Sequence, residues 1–539
     1  MRVQEIDHAA LLPLYLAAGT AAAALFAGRF AKAAMMIGLT ASGVAAVWVG
    51  MGPDRATFAV GDWHSYAADD PAMGAAALFA ALAVLVAGLS GRQAGEYWFL
   101  LSASAAGGVA LAGSRDLISL IVAVETLTVP LYALVAKPGR DGAEAGVAFL
   151  IASVTASATA LMGAALLYAA GGTVHLGGLA AGLGDAHAGL TAAGLALLLG
   201  GLAFKLAAAP LHAWAPLVLE RAPLPVATYL ASASKLGGAL AVVWVVHFGL
   251  APGAFGSSEP PEGFAGGSGA QQSAGIVLAV LSVASIAVGN LGALAQRRTV
   301  PLLAWSGVAH AGYALAPLAV VATAAGRSEA GAAASAALAY AVFFVLLEAG
   351  AFAALTAVRP GSGSIFASRE RQTPETALES GGSHESDLDV RGVVAADVGR
   401  RRAVEAQSAA GGHPARGVGE GGRVAELTGL WRAAPLPAAL LLFSVVGLAG
   451  LPPALVGTFA KVAVLEVLAS SAVWLAVVVA AGAVVGLAYY LPLARTVLLG
   501  RPAARTRGRY AIGVAAIGLA LLAVSLAPQL VLAFTSLAP

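Results

Sequence analysis

The chain has no cysteine and little charge, and each shortage excludes a class of site. Without a thiolate it cannot hold an iron–sulfur cluster or a zinc ion through cysteine, and it cannot form a disulfide. Charged residues make up 11% of the 539 residues and the formal net charge is +2, which provides no basic surface for nucleic acid. Phosphate-loop, dinucleotide-binding and zinc-protease motifs are also missing, and we expect no metal site.

Lysine is scarce as well, with five lysines against 25 arginines. Three of the five, Lys205, Lys235 and Lys461, lie inside long apolar runs, whereas the arginines lie almost entirely outside such runs. An ammonium at the centre of a bilayer costs roughly 3 kcal/mol on insertion scales. Because lysine, unlike arginine, can lose its proton when desolvated, these three are candidate proton carriers. The alternative is that their long side chains reach the membrane interface.

The rest of the chain is apolar. Hydrophobic residues make up 59% of it and the mean hydropathy is +0.84, values typical of a polytopic membrane protein. We predict an all-α protein of about 14 transmembrane helices, because fourteen runs are long enough to span a bilayer. These runs are 8–27, 31–51, 71–90, 95–113, 117–136, 145–170, 190–219, 224–248, 273–295, 300–322, 331–357, 434–468, 471–494 and 510–534.

The distribution of basic residues predicts the orientation. Loops after odd-numbered helices hold 23 of the 30 lysines and arginines, and loops on the other side hold four. Since cytoplasmic loops are enriched in these residues, we expect both termini outside. The longest inside loop, 359–430, is rich in Gly, Ser, Pro, Glu and Arg, which predicts a disordered cytoplasmic linker. Segment 249–272 is the predicted extracytoplasmic loop.

Proline interrupts the seventh and twelfth runs, at Pro210 and at Pro452 and Pro453. In lipid, a broken helix occurs where the freed backbone groups line a polar cavity. Lys205 precedes its break by five residues, and Lys461 follows the other break by eight. This opposite order fits two inverted repeats around a site near the membrane midplane.

Four more titratable side chains lie in or beside the predicted spans. Glu125 lies in the middle of the fifth, where it either pairs with Lys205 or is held neutral by burial. His212 and His310 titrate near neutral pH and are candidate proton relays, although a lone buried histidine is more often a hydrogen-bonding core residue. Glu348 is a further intramembrane acid.

The order of these motifs resembles one known family, the antiporter-like subunits of respiratory complex I. Residues 204–235, FKLAAAPLHAWAPLVLERAPLPVATYLASASK, combine a lysine, a broken helix with Pro-x-His-x-Trp-x-Pro, an Ala-Pro and a second lysine, as that family does. VETLTVPLYALVA, RRTVPLLAWSGVAHAGY, GLAGLPPALVGTFAKVAVL and GLAYYLPLAR are similar to its fifth, tenth, twelfth and thirteenth helices. The resemblance spans roughly residues 95–500, apart from the 359–430 insertion, and it is strongest to the N type of subunit.

Three positions depart from the family pattern. Leu217 stands where the family usually has an acid after the last proline of the signature. Glu144 is present at the start of the sixth helix, but Ala148 replaces the lysine that often follows it. Glu348 stands where the eleventh helix often has asparagine. These departures concern the proton input path and leave the central glutamate and the three lysines in place.

The resemblance implies a function. Complex I couples electron transfer from NADH to quinone with proton pumping, and its flavin and iron–sulfur clusters lie in other subunits. The chain would then be a proton-translocating subunit of this translocase in a bacterial cell membrane, with lipids and other membrane and peripheral subunits as partners. It would bind no cofactor itself. Alternatives are a subunit of an Mrp-type cation/proton antiporter and a purely structural membrane scaffold.

The resemblance also implies roles and boundaries. Protons would move through a central axis with Glu144 and Glu348 as accessory candidates; the axis comprises Glu125, Lys205, Lys235, Lys461, His212 and His310. Two inverted five-helix repeats would cover 95–248 and 273–494, after three helices in 1–94 and before a last helix in 495–539.

Overall fold

The computed structural model describes residues 6–136, 140–184, 186–250, 268–359, 422–501, 505–506 and 510–537. Their α-helices are α1 (Leu12–Phe26), α2 (Ala31–Gly50), α3 (Asp70–Leu89), α4 (Gly95–Gly113), α5 (Leu117–Val135), α6 (Arg140–Gly171), α7 (Leu176–Gly182), α8 (Ala188–Lys205), α9 (Trp214–Arg221), α10 (Leu224–Tyr229), α11 (Lys235–Leu250), α12 (Ser268–Leu294), α13 (Thr299–Leu315), α14 (Ala324–Ser328), α15 (Ala330–Thr356), α16 (Leu430–Ala433), α17 (Pro435–Ala449), α18 (Leu455–Ser471), α19 (Val473–Leu498), α20 (Ala511–Leu526) and α21 (Gln529–Thr535). A π-helical turn, Leu230–Ser234, joins α10 to α11, and short 3₁₀ turns cover Gly28–Phe30, Pro317–Ala322 and Val424–Leu427.

The predicted membrane helices are present. Each of the fourteen apolar runs contains helix in the structure. In the described part of the chain, ten helices are long and apolar enough to cross a membrane, or eleven if the bent pair α20–α21 is one span. Helices α1 and α17 have 15 residues each, which at 1.5 Å per residue is shorter than a bilayer core. The multi-pass helical fold is therefore confirmed, while the count of fourteen spans and the repeat boundaries stay predictions.

Both predicted helix breaks are observed. The seventh run divides into α8, which ends at Lys205, and α9, which begins at Trp214. The twelfth divides into α17, which ends at Ala449, and α18, which begins at Leu455. Lys205 is thus the last residue before one break, and Lys461 lies in the second turn after the other.

Three segments form the centre of the bundle. Residues 226–250 and 336–356 are all buried, and residues 299–321 are buried apart from the partly exposed Trp305. A helix buried on every side has no polar face, so any ionisable side chain on it needs a partner within the protein. Lys235, His310 and Glu348 lie one on each of these three segments.

Small residues let the surrounding helices approach closely. A Cβ atom at Gly163 of α6 would lie 2.3 Å from the backbone nitrogen of Leu198 in α8. A Cβ atom at Gly289 of α12 would lie 2.2 Å from the backbone nitrogen of Ala309 in α13. Membrane helices gain van der Waals contact and backbone proximity in this way. The abundance of glycine and alanine therefore serves helix packing.

A β-hairpin departs from the all-α prediction. Strands β1 (Arg55–Val60) and β2 (Trp63–Ala68) pair antiparallel, from Arg55 opposite Ala68 to Val60 opposite Trp63. They are joined at Gly61, whose φ of +62° suits a tight hairpin turn. The backbone N–H of Arg115 donates to the carbonyl of Ser65 at 2.8 Å, which ties the hairpin to the start of α5.

Part of the segment 359–430, predicted to be a disordered linker, is ordered. Residues 360–421 lie outside the described residues, but 422–430 are ordered and end in the first turn of α16. The N–H of Thr299 donates to the carbonyl of Gly422, and the N–H of Val424 donates to the carbonyl of Arg297. At the other end, β3 (Val358–Arg359) pairs with β4 (Arg505–Thr506). Backbone pairing with neighbouring segments, which composition does not reveal, orders both ends.

Candidate proton-transfer site

Glu125 and Lys205 form an ion pair in the first half of the chain. Lys205 Nζ lies 3.0 Å from Glu125 Oε1, with side-chain exposures of 4% for the lysine and 27% for the glutamate. The ammonium also donates to Thr128 Oγ1 at 3.0 Å and Ser153 Oγ at 2.7 Å. All three donors of the ammonium are therefore used. Ser157 Oγ donates to Glu125 Oε1 at 2.5 Å.

The helix break beside Lys205 is held by polar contacts. Ala207 has a φ of +63°, and the N–H of Ala209 donates to Ser285 Oγ on α12 at 2.9 Å. Trp214 Nε1 donates to the carbonyl of Phe204 at 3.2 Å, which satisfies one of the last carbonyls of α8. A carbonyl end beside the ammonium is electrostatically favourable, because the C-terminus of a helix carries partial negative charge.

Two candidates near this break lie apart from the lysine. His212 is half-buried, its Nδ1 is 3.2 Å from the carbonyl oxygen of Pro210, and its ring centroid is 5.2 Å from that of Trp305. Glu144 is exposed and pairs with Arg221 at 3.0 Å. In the described residues, neither side chain hydrogen-bonds to a buried lysine. Their proposed relay roles stay predictions.

Lys235 and Glu348 form a second ion pair at the centre of the bundle. Lys235 Nζ lies 2.7 Å from Glu348 Oε1 and 2.8 Å from Oε2, with side-chain exposures of 0% and 1%. The π-helical turn ends at the residue before Lys235, and such turns are common at functional positions. Gly307 leaves room for the pair, because a Cβ atom there would lie 2.2 Å from Lys235 Nζ.

His310 is the centre of a tyrosine network. Its Nδ1 lies 2.8 Å from the hydroxyl of Tyr340, and its Nε2 lies 3.0 Å from the hydroxyl of Tyr490. A second group is nearby, in which Asn290 accepts from the Tyr489 hydroxyl at 3.0 Å and contacts the Tyr313 hydroxyl at 3.3 Å. Hydroxyl and imidazole groups in contact can pass protons by exchanging donor and acceptor roles.

Lys461 lies at the second break. Its ammonium donates to the carbonyl of Leu448 at 2.8 Å, near the end of α17. The break continues through Gly450, which has a φ of +81° and accepts from Thr458 Oγ1 at 3.1 Å. Within the described ranges no carboxylate pairs with Lys461, and Glu466 is exposed. The lysine points into the break, and whether it lies at the membrane interface stays a prediction.

The three lysines of the apolar runs lie in three separate polar clusters. One contains Lys205, one contains Lys235, and one contains Lys461; no direct hydrogen bond joins these lysines in the part of the chain that the structure describes. The aromatic ring of Phe344 links the middle cluster to His310, since its centroid is 5.1 Å from Lys235 Nζ and it stacks on the imidazole at 4.9 Å. Across the described ranges, no group of three or more His, Asp or Glu side chains is placed to hold a metal ion.

Known proteins share this arrangement of helices and motifs. A family model described as the transmembrane part of NADH:quinone oxidoreductase and Mrp antiporters matches residues 114–254 and 267–369. The NADH-quinone oxidoreductase subunit N of Salinispora tropica is 42% identical over 91% of this chain and 84% of that protein. The chain belongs to the NADH-quinone oxidoreductase subunit N family.

Solved structures agree with membership of the subunit N family. A chain of the respiratory complex I of Thermus thermophilus with bound aureothin is 27% identical, with a TM-score of 0.71 over 98% of this chain and 100% of that chain. A chain of the Mrp complex of a Dietzia species has a TM-score of 0.73 but 18% identity over 99% of this chain and 97% of that chain, so the fold alone is shared with it. The sequence therefore favours subunit N over the Mrp alternative.

The residues that sequence reasoning missed are mainly partners. Thr128, Ser153 and Ser157 surround the first pair, and Tyr340 and Tyr490 hold His310. Polar residues inside long apolar runs are a usable signal, because burial forces them to find partners. Sequence reasoning also did not predict that the carboxylate of Glu348 lies directly beside the ammonium of Lys235.

Proposed function

We propose that this chain is a proton-translocating subunit of a membrane NADH–quinone oxidoreductase. The Salinispora tropica relative is named NADH-quinone oxidoreductase subunit N, and its 42% identity extends over 91% of this chain. We further propose that NADH, flavin, iron–sulfur clusters and quinone act in other subunits. The absence of cysteine excludes thiolate-ligated clusters from this chain. Its location would be a bacterial cell membrane, with both termini outside and membrane and peripheral subunits of complex I as neighbours.

The mechanism would be electrostatic. While Glu125 is ionised and 3.0 Å away, it stabilises the charged form of Lys205. If the pair opens, burial disfavours the ammonium and Lys205 can pass its proton toward the Lys235 cluster. Charge arriving there changes the protonation of Lys461 in turn, since interacting sites titrate as a coupled set. Water in the cavities of the broken helices would complete the path between the clusters.

The observation that carries this proposal is the position of Lys205. It is buried, it is the last residue before a helix break, and its only ionic partner in the described residues is Glu125. A buried lysine needs a partner whatever its role, but a lysine kept for packing alone would not need the helix break beside it. The same logic separates a pumping subunit from a scaffold, which would tolerate neutral side chains at these positions.

Lys205→Ala tests the proposal. In inverted membrane vesicles containing the whole complex, NADH-driven acidification per NADH oxidised should fall by about tenfold or more, because a required proton carrier is lost. Assembly is checked on native gels stained for NADH oxidation.

Lys32→Ala is the matched control, since Lys32 lies at the start of α2 and donates to the carbonyl of Ser90, away from the buried pairs. Wild-type pumping by an assembled Lys205→Ala complex would refute the proposal. Cation transport by a complex without flavin and iron–sulfur subunits would support the Mrp alternative instead.

A further inference from the structure

The central ion pair is unlike the first pair in its surroundings. Lys205 retains two hydroxyl partners besides Glu125, and Glu125 is partly exposed. Lys235 and Glu348 are both fully buried, and in the described residues their side chains hydrogen-bond only to each other. One proton more or fewer at this pair therefore leaves a single buried charge.

The two ways of creating that charge are not equivalent. If Lys235 lost its proton to another group, Glu348 would remain as a buried anion whose only neighbour is a neutral amine, with no counter-charge, and this is a costly state. If Glu348 gained a proton, the ammonium of Lys235 would remain beside the face of Phe344, 5.1 Å from the ring centroid. An aromatic face attracts a cation and offers nothing to an anion.

We propose that Glu348, not Lys235, carries the translocated proton at the centre of this chain. This inference rests on the proposed function. An N–H bond of the Lys205 ammonium breaks and its proton, passed on through water, adds to a carboxylate oxygen of Glu348, so that the pair changes from net charge 0 to +1. The new O–H bond breaks when the proton leaves toward the exchangeable groups at His310. Lys235 stays protonated throughout and acts as a fixed counter-charge.

The surroundings fit this division of roles. Gly307 brings α13 against the ion pair, with its Cβ position 2.6 Å from Glu348 Oε1. His310 lies one helical turn further along α13 and stacks on Phe344, so the next exchangeable groups adjoin the pair. Arrival of a positive charge beside His310 provides the electrostatic signal to the Lys461 cluster.

Arginine separates the two possible carriers. Arginine keeps its charge in proteins, so Lys235→Arg abolishes pumping if this residue must lose a proton, and preserves it if the residue is a counter-charge. We expect assembled Lys235→Arg complexes to retain pumping within a factor of about three, and Glu348→Gln to lose about tenfold or more. Protons pumped per NADH oxidised are measured in inverted vesicles.

Space around the pair is limited, so Lys235→Arg is also made with Glu348→Asp, which shortens the acid. Glu329→Gln is the matched control, because Glu329 is an exposed glutamate directly before the same helix, α15. Wild-type pumping by Glu348→Gln would overturn the proposal, as would arginine variants that assemble without pumping. If neither arginine variant assembles, wild-type pumping by Glu348→Gln still overturns the proposal, and a loss of about tenfold or more supports it. Lys205→Ala reports separately on the proposed function.

Discussion

The buried pair of Lys235 and Glu348 provides a quantitative test of how the bundle centre is stabilised. At 2.7 Å, and with an effective dielectric constant of about 20, the two charges attract by about 6 kcal/mol. Desolvation of both groups cancels much of this attraction, because neither side chain is more than 1% exposed. The pair as a whole should therefore contribute little net stability, although each member depends strongly on the other.

The perturbation is a double-mutant cycle with Lys235→Met and Glu348→Met. Each single change leaves one uncompensated buried charge and should destabilise the chain by about 3–5 kcal/mol. The double change removes both charges and replaces them with flexible apolar side chains, so it should recover most of that loss. A free-energy difference of about 1.4 kcal/mol corresponds to a tenfold ratio. Each single variant should therefore inactivate on heating at least about tenfold faster than the double variant.

The assay is the half-life of the detergent-solubilised complex at raised temperature, followed by size-exclusion chromatography of a tagged chain. The pair of Arg221, which is partly exposed, and Glu144, which is exposed, is the control, with side-chain exposures of 31% and 62%. Its methionine variants should change stability little, since surface pairs contribute about 0–1 kcal/mol. A buried double variant less stable than both single variants would show that the two charges do not compensate each other, and the reasoning would be wrong.

Two further predictions address orientation and the histidine network. Because the chain has no cysteine, a membrane-impermeant maleimide should label Asp62→Cys in intact spheroplasts and Arg92→Cys only after permeabilisation; the reverse pattern would contradict the positive-inside assignment. Tyr490→Phe removes one of two hydroxyls bonded to His310 and should slow pumping several-fold, while Tyr15→Phe, at an exposed site, should not; equal rates would exclude the network from the path.

The membrane fold follows from local properties of the chain. Apolar runs of bilayer length can satisfy their backbone in lipid only as helices, so composition and length predict where the helices lie. Proline cannot donate a backbone hydrogen bond, so Pro210 and Pro452 predict the two breaks from the sequence alone. The β1–β2 hairpin was missed because cross-strand pairing depends on residues that hydropathy does not mark.

The sequence also predicts which ionisable residues are candidates, because charged residues are rare within apolar runs. The sequence alone identifies Glu125, Lys205, Lys235 and Lys461 as candidates. It also makes the pairing of Glu125 with Lys205 a reasonable expectation, because an unpaired charged side chain in lipid has a high free-energy cost. The sequence does not predict which way the side chain of Lys461 points, since a long side chain in a membrane helix can reach either the interface or the interior.

What the sequence determined by itself is therefore the class of protein, the helices, their two breaks and the candidate carriers, all of which depend on runs of neighbouring residues. Only the tertiary structure decided that Glu348 lies 2.7 Å from Lys235, across 113 positions of sequence, and that His310 lies between Tyr340 and Tyr490. The physical reason is that a buried charge requires a partner but does not specify which one. That choice depends on which helices the packing of small residues brings into contact.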